Sequence, residues 1–133
     1  MRLIIDTNVI IDVLLQRPQL FEGSKKVLEK CLRGEIEGFI TASMATDIFY
    51  IIRKALKNND EAYAALGHIL DIVGIIGVSE KNVYDAYRTK AGDFEDCLLA
   101  VCAKENGIGT IVTRNAKDFE GFDITIQTPE QLV

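Results

Sequence analysis

Four aspartates in this sequence carry the side chains best suited to hold a hard divalent cation: Asp6, Asp47, Asp96 and Asp118. Oxygen donors without histidine or cysteine beside them suit Mg2+ or Mn2+, ions that keep several waters and bridge to phosphate. One or two such ions orient a water, lower its pKa and offset charge on a phosphorane-like transition state. Hydrolysis of a phosphodiester is the reaction this chemistry fits. Short polar side chains stand next to the acids at Thr7, Asn8, Asp93, Thr113 and Asn115, where they can support such a site.

Each acid also has a purely structural role open to it. Asp6 directly follows the apolar run Leu3-Ile4-Ile5, which puts it at the ligand-binding edge if that run is a parallel strand; it is equally a good helix N-cap. Asp47 has Met44 and Ile51 as its i−3 and i+4 neighbours, so it risks desolvation unless a cation meets it. The helix dipole would also favour an acid there. In Asp93-Phe94-Glu95-Asp96, Asp93 reads as an N-cap with Asp96 at the third position. Asp96 shares a stripe with Ala100, Ala103 and Gly107, small residues that let a helix lie close to a sheet and carry the acid towards the strand ends. Asn115 and Asp118 follow the strand ending at Thr113 and either complete the cluster or cap a short helix. Arg114, beside them, is the cation best placed to contact a substrate phosphate. Tyr50, Tyr84 and Tyr87 sit at helical spacing and read as partly buried core, and the lone His68 as structural. A mechanism without histidine relies on metal-bound water.

The elements that must position these groups follow from hydrophobic period and breakers. Strands are expected at Leu3–Ile5, Gly38–Thr41, Ile75–Val78, Thr110–Thr113 and Asp123–Ile126. Helices are expected after Asp6 to Leu15, over Phe21–Leu32, from Thr41 or Ser43 to Leu56, from Asn58 towards Gly74, from Ser79 to Gly92 and from Asp93 to Asn106. The third should bury Ala45, Ile48, Phe49, Ile52, Ala55 and Leu56, and the fifth Val83, Ala86 and Tyr87. Strands separated by helices imply a three-layer α/β domain with a mainly parallel central sheet. The 133 residues suffice for a single domain spanning 1–133, 48% hydrophobic and 26% charged.

The apolar runs are too short to cross a bilayer, and no secretory pattern opens the chain, so a cytoplasmic setting is expected. Cys31, Cys97 and Cys102 lack metal-site spacing and read as small buried apolar residues in a reducing compartment. The net charge of −5 argues against tight nonspecific binding to nucleic acid, yet a carboxylate site built for cations starts with a local acidic excess.

Taken together, the opening Leu3-Ile4-Ile5-Asp6-Thr7-Asn8-Val9-Ile10-Ile11-Asp12, the helix acid in Ser43-Met44-Ala45-Thr46-Asp47, the block Asp93-Phe94-Glu95-Asp96-Cys97-Leu98-Leu99-Ala100, and Thr113-Arg114-Asn115 with Asp118-Phe119 resemble the PIN-domain nucleases. Many of these act as the toxin of a type II toxin–antitoxin pair. The resemblance implies a Mg2+- or Mn2+-dependent ribonuclease whose acidic core is Asp6, Asp47 and Asp96, with Asp118 a fourth candidate. It also implies an RNA substrate, an antitoxin partner and a homodimer. Asp47 stands where a Glu is frequent in that family, and Asn115 where many members carry an Asp, so a second ion would be held weakly. Two other classes compete. Haloacid-dehalogenase-like phosphatases also place an Asp after the first strand, but they need a second acid two residues on, where this chain has Asn8. A noncatalytic binding module would use the acids only as caps.

Overall fold

Leu3, Ile4 and Ile5, wholly buried, form the middle of the sheet. In the computed structural model, which describes residues 1–133, β1 (Arg2–Ile5) pairs in parallel with β2 (Glu37–Thr41) on one side and β4 (Thr110–Val112) on the other. Beyond them lie β3 (Gly74–Ile76) and β5 (Thr125–Gln127), so the parallel order is β3-β2-β1-β4-β5. A strand with neighbours on both edges and helices on both faces has no polar side to offer, which is why β1 carries three consecutive aliphatic residues.

The connections are α1 (Thr7–Leu14), α2 (Phe21–Leu32), α3 (Ala42–Leu56), α4 (Asn59–Leu70), α5 (Glu80–Thr89) and α6 (Phe94–Glu105), followed by a 3-10 turn, Ala116–Phe119, and a short α7 (Pro129–Leu132). After β1 the chain winds outward through β2 to β3, then returns through α5 and α6 to place β4 on the opposite side of β1. That reversal opens a crevice between the carboxyl ends of β1 and β4, the place where open α/β sheets bind ligands.

Caps set most boundaries. Thr41, Asn58, Ser79, Asp93 and Thr128 each accept a backbone N–H from the first turn of the following helix. The short α7 was not expected from periodicity; Thr128 caps it and Pro129 opens it, where the missing N–H costs nothing. Strand β3 begins one residue early and stops before Val78, while β5 starts two residues later than its apolar pattern predicts.

Helix α5 buries a different face from the one expected, whereas α3 buries the expected Ile48 and Ile52, with Ala45 and Phe49 against the core, and departs only in its last turn. The stripe of α3 is Met44, Ile48 and Ile52; its last turn, including Ala55 and Leu56, is exposed and closes at Lys57 in the left-handed region with φ 56°. On α5 the buried stripe is Asn82 and Ala86, whereas Val83, Tyr84 and Tyr87 face outward. The rotation has a polar cause: Asn82 Oδ1 accepts the Ser79 N–H at 2.8 Å while its amide donates to Glu105, so this side chain is satisfied when buried. Tyr50 is also exposed, correcting its reading as core. The cysteines behave as expected: all three are free thiols, Cys97 and Cys102 buried and Cys31 partly so. No helix is long and apolar enough to cross a membrane.

Candidate metal centre

Asp6 leaves β1 at the crevice with its own N–H donated to Val112 O of β4 at 2.9 Å. Its carboxylate takes the first of the roles open to it, the cap of α1, and is held by two further donors. Oδ1 accepts the Thr7 N–H at 2.8 Å, capping α1, while Oδ2 accepts the Thr113 hydroxyl at 2.8 Å and the Asn8 amide at 3.2 Å. Three donors leave one of the carboxylate's roughly four acceptor positions open.

Thr113, at the end of β4, is wholly buried and uses its full hydrogen-bonding capacity. Its hydroxyl donates to Asp6 and accepts from Asn8 Nδ2 at 3.2 Å and from the Asn115 N–H at 3.1 Å. Asn8 completes the circuit by accepting the Arg114 N–H at Oδ1, 3.2 Å. The ends of β1 and β4 are thus tied together through side chains exactly where their backbones part, and Asp6 is the point on which the ties converge.

Asp96, in the first turn of α6, faces Asp6 across a notch of about 20 Å³ that Thr41, Ser43, Met44, Glu95 and Leu99 also line. A volume of that size holds about one water-sized species. Asp93 caps α6, accepting the Glu95 and Asp96 N–H groups at 3.0 and 3.3 Å. It is therefore the N-cap expected of it. Asp118, on the 3-10 turn, is exposed but close enough for its charge to act on both Asp6 and Asp96.

Asp47 lies outside the notch. Its carboxyl lies beside that of Glu95, which does line the notch. Glu95 is the site residue that sequence reasoning passed over, having noted it only as one of the acids in the first turn of α6. The available signal was the density of acids in Asp93-Phe94-Glu95-Asp96 at a helix start, more than capping alone requires.

The electrostatics run one way. Burial pushes Asp6 above the usual carboxylate range despite its three donors, and Asp118 adds to the rise. Asp96 is pushed up to about 6 by desolvation and by the charges of Asp118, Asp6 and Asp93. Glu95 is pushed up to about 7, first by the Asp47 carboxyl beside it, then by burial and by neighbouring aspartates. No lysine or arginine counters any of these three shifts. Carboxylates held together without a protein cation fit a divalent ion, which removes the repulsion they impose on one another. No three of the acids converge closely enough to form a complete ligand set.

A pH dependence follows. Raised native pKa values mean that the folded, metal-free protein binds protons more readily than the unfolded chain. The resulting stability is complete below about pH 4, where both states are protonated, and is lost as pH rises through about 6 to 7. Melting in EDTA is expected to show Tm falling between pH 5 and 8, and added Mn2+ is expected to flatten that slope. A Tm in EDTA that climbs over the same range contradicts it.

Arg114 is not where a phosphate contact requires it. Its guanidinium turns away from the notch and is held by Asp12, Ser24, the Leu20 carbonyl and Glu130. The cation foreseen as a phosphate contact is thus engaged within the protein, where it pairs with the buried carboxylate of Asp12. Asp12, wholly buried in α1, was quoted from the sequence only as part of the opening motif. The run Val9-Ile10-Ile11-Asp12-Val13-Leu14-Leu15, a lone acid among aliphatics, was the signal that it needed an internal partner.

Comparison with known proteins follows the same lines. A family model described as PIN domain matches residues 2–117. Among solved structures, VapBC2 from Rickettsia felis bound to a DNA fragment from its promoter aligns with a TM-score of 0.74 and 22% identity, over 96% of this chain and 98% of that one. A toxin-antitoxin complex from Klebsiella pneumoniae gives 0.67 and 22%, over 95% and 96%. Mycobacterium tuberculosis VapC20, described as a sarcin-ricin loop cleaving toxin, gives 0.69 and 12%, over 90% and 95%. No curated protein sequence is a significant match.

Proposed function

The chain belongs to the PIN-domain family, and from that premise we propose that it is a divalent-metal-dependent endoribonuclease acting as the toxin of a toxin–antitoxin pair. The observation that carries the nuclease reading is the Asp6–Asp96 notch at the β1/β4 switch point, lined by acids and opposed by no basic side chain. Asp6 and Asp96 would hold Mg2+ or Mn2+, with Asp118 and the Asp47–Glu95 pair on the rim. An ion held there would supply a water acidic enough to act at neutral pH and would offset charge on the phosphate.

The chain's own residues prepare that chemistry. Thr113 and Asn8 fix the Asp6 carboxylate so that little reorganisation accompanies binding. The N-terminus of α6, capped by Asp93, carries Asp96 to the notch. Glu95, pushed up to about 7 beside Asp47, brings a carboxyl that holds its proton towards neutral pH to the same notch. Asn8, placed where a phosphatase of the Asp-x-Asp type needs its acid/base, is occupied by Asp6, Thr113 and the Arg114 amide. That occupation leaves it no part in covalent phosphoryl transfer.

RNA as substrate draws support from the described activity of the Mycobacterium tuberculosis neighbour, and a protein antitoxin from the complexes of Rickettsia felis and Klebsiella pneumoniae. A homodimer and a cytoplasmic setting belong to the same reading, the latter in keeping with three free cysteines. The direct test is incubation of the purified protein with single-stranded RNA in Mn2+ and in EDTA, alongside Mn2+ titration by calorimetry. Cleavage confined to the Mn2+ arm is expected. No cleavage in either arm, with no heat of binding, sinks the proposal.

A further inference from the structure

One arginine ties three segments to the residue that holds Asp6. Arg114 follows Thr113, and its backbone N–H is fixed by Asn8. Its Nε donates to Asp12 of α1 at 2.5 Å, and Nη2 donates to the Leu20 carbonyl and to Ser24 Oγ, both at 3.0 Å, at the start of α2. Nη1 and Nη2 donate to the two Glu130 oxygens of α7 at 2.7 and 3.1 Å. The Arg114 side chain is only 16% exposed and Asp12 1%. Such a fork is directional in a way that a lysine ammonium is not.

Gly23 supplies an independent sign that this arrangement is built. It lies inside α2, where alanine is the better helix former, yet a Cβ there would sit 2.0 Å from Glu130 Oε2. The missing side chain makes the space in which the Glu130 carboxylate reaches Arg114.

We propose that Asp12, Arg114 and Glu130 form a strut through which the C-terminal helix α7 sets the position of Thr113, and hence of the Asp6 carboxylate, making Arg114 and Glu130 positioning residues for the metal centre. The inference rests on the reading of Asp6 as a ligand, but its first test does not. The hydrogen bonds downstream of the strut are those of the Arg114 and Asn115 amides to Asn8 and Thr113, so amide exchange in the metal-free protein reports the strut directly.

Glu130→Gln retains the shape of the side chain and removes its charge, and Gly23→Ala displaces that side chain without altering any partner of the network. In both full-length variants, exchange at Arg114 and Asn115 is expected to accelerate roughly tenfold relative to amides of β1. Mn2+ affinity should fall about tenfold, the range seen when a ligand's supporting hydrogen bonds are lost, and kcat should drop with KM for RNA unchanged. Arg114→Lys should resemble them, because it retains charge but loses the fork. A phosphate-contacting Arg114 would behave differently: its loss would raise KM and lower the salt dependence of RNA binding by about one ion, and that pattern overturns the proposal. Unchanged exchange at both amides in Glu130→Gln and Gly23→Ala also overturns it. If the wild type cleaves no RNA, the nuclease reading fails while the exchange result still decides the strut.

Discussion

Asp6→Asn is expected to eliminate Mn2+-dependent cleavage, by roughly a hundredfold or more, while raising the Tm of the metal-free protein. The first effect follows from the loss of a charged ligand where a bound ion contributes several kcal/mol to transition-state stabilisation, each 1.36 kcal/mol being about tenfold in rate. The second has the opposite sign because Asp6 is a partly buried anion beside Asp96 and Asp118, with its ionisation disfavoured by desolvation. Asparagine removes the charge and still accepts the Thr113 hydroxyl through its carbonyl oxygen. A residue serving only as a helix cap would respond differently, with little change in activity and a small loss of stability. Calorimetry with Mn2+ and a melt in EDTA distinguish the two on the same sample. Unaltered metal affinity, or a lower apo Tm, would remove Asp6 from the site.

Arg114→Met is expected to cost about 3 to 5 kcal/mol of stability, the usual penalty for stranding one member of a buried ion pair. Asp12 is wholly buried, and with Arg114 gone its remaining basic neighbour is Arg17 at 3.5 Å, itself well exposed to water. Denaturant unfolding measures the loss. The double replacement Asp12→Leu with Arg114→Met separates two contributions, since exchanging an entire buried pair for apolar side chains is often neutral. Stability should largely return in the double variant, whereas protection of the Arg114 and Asn115 amides should not, because neither hydrophobe reaches Glu130. A single Arg114→Met protein as stable as wild type would show that the pair contributes no net stability.

Much of this architecture is legible before folding is considered. The caps at Thr41, Asn58, Ser79, Asp93 and Thr128 are local, since a side chain bonds a backbone N–H two or three residues away. The aliphatic run of β1 marks a central strand because it has no polar alternation, and Asp6 marks its end. What fails is the inference about which face of α5 meets its neighbour. That helix has several apolar faces to choose from, and the choice is made by Asn82, a polar residue that hydrophobic period ignores.

The candidate site divides in the same way. Asp6, Asp96 and Asp93 are legible because strand ends and first turns of helices have a defined direction relative to the crevice. Thr113 and Asn8 become partners of Asp6 only because β4 lies beside β1, a pairing between residues more than a hundred positions apart. The pairing of Asp47 with Glu95, and the diversion of Arg114 from the crevice to Asp12 and Glu130, depend likewise on contacts between distant elements. The parallel α/β class, the caps and the order of the acids can be read from short stretches of sequence, because hydrophobic period and capping act over a few residues. Which acids share a notch, and where each charge finds its counterion, emerges on folding, because Coulomb and desolvation energies depend on distance in space and burial.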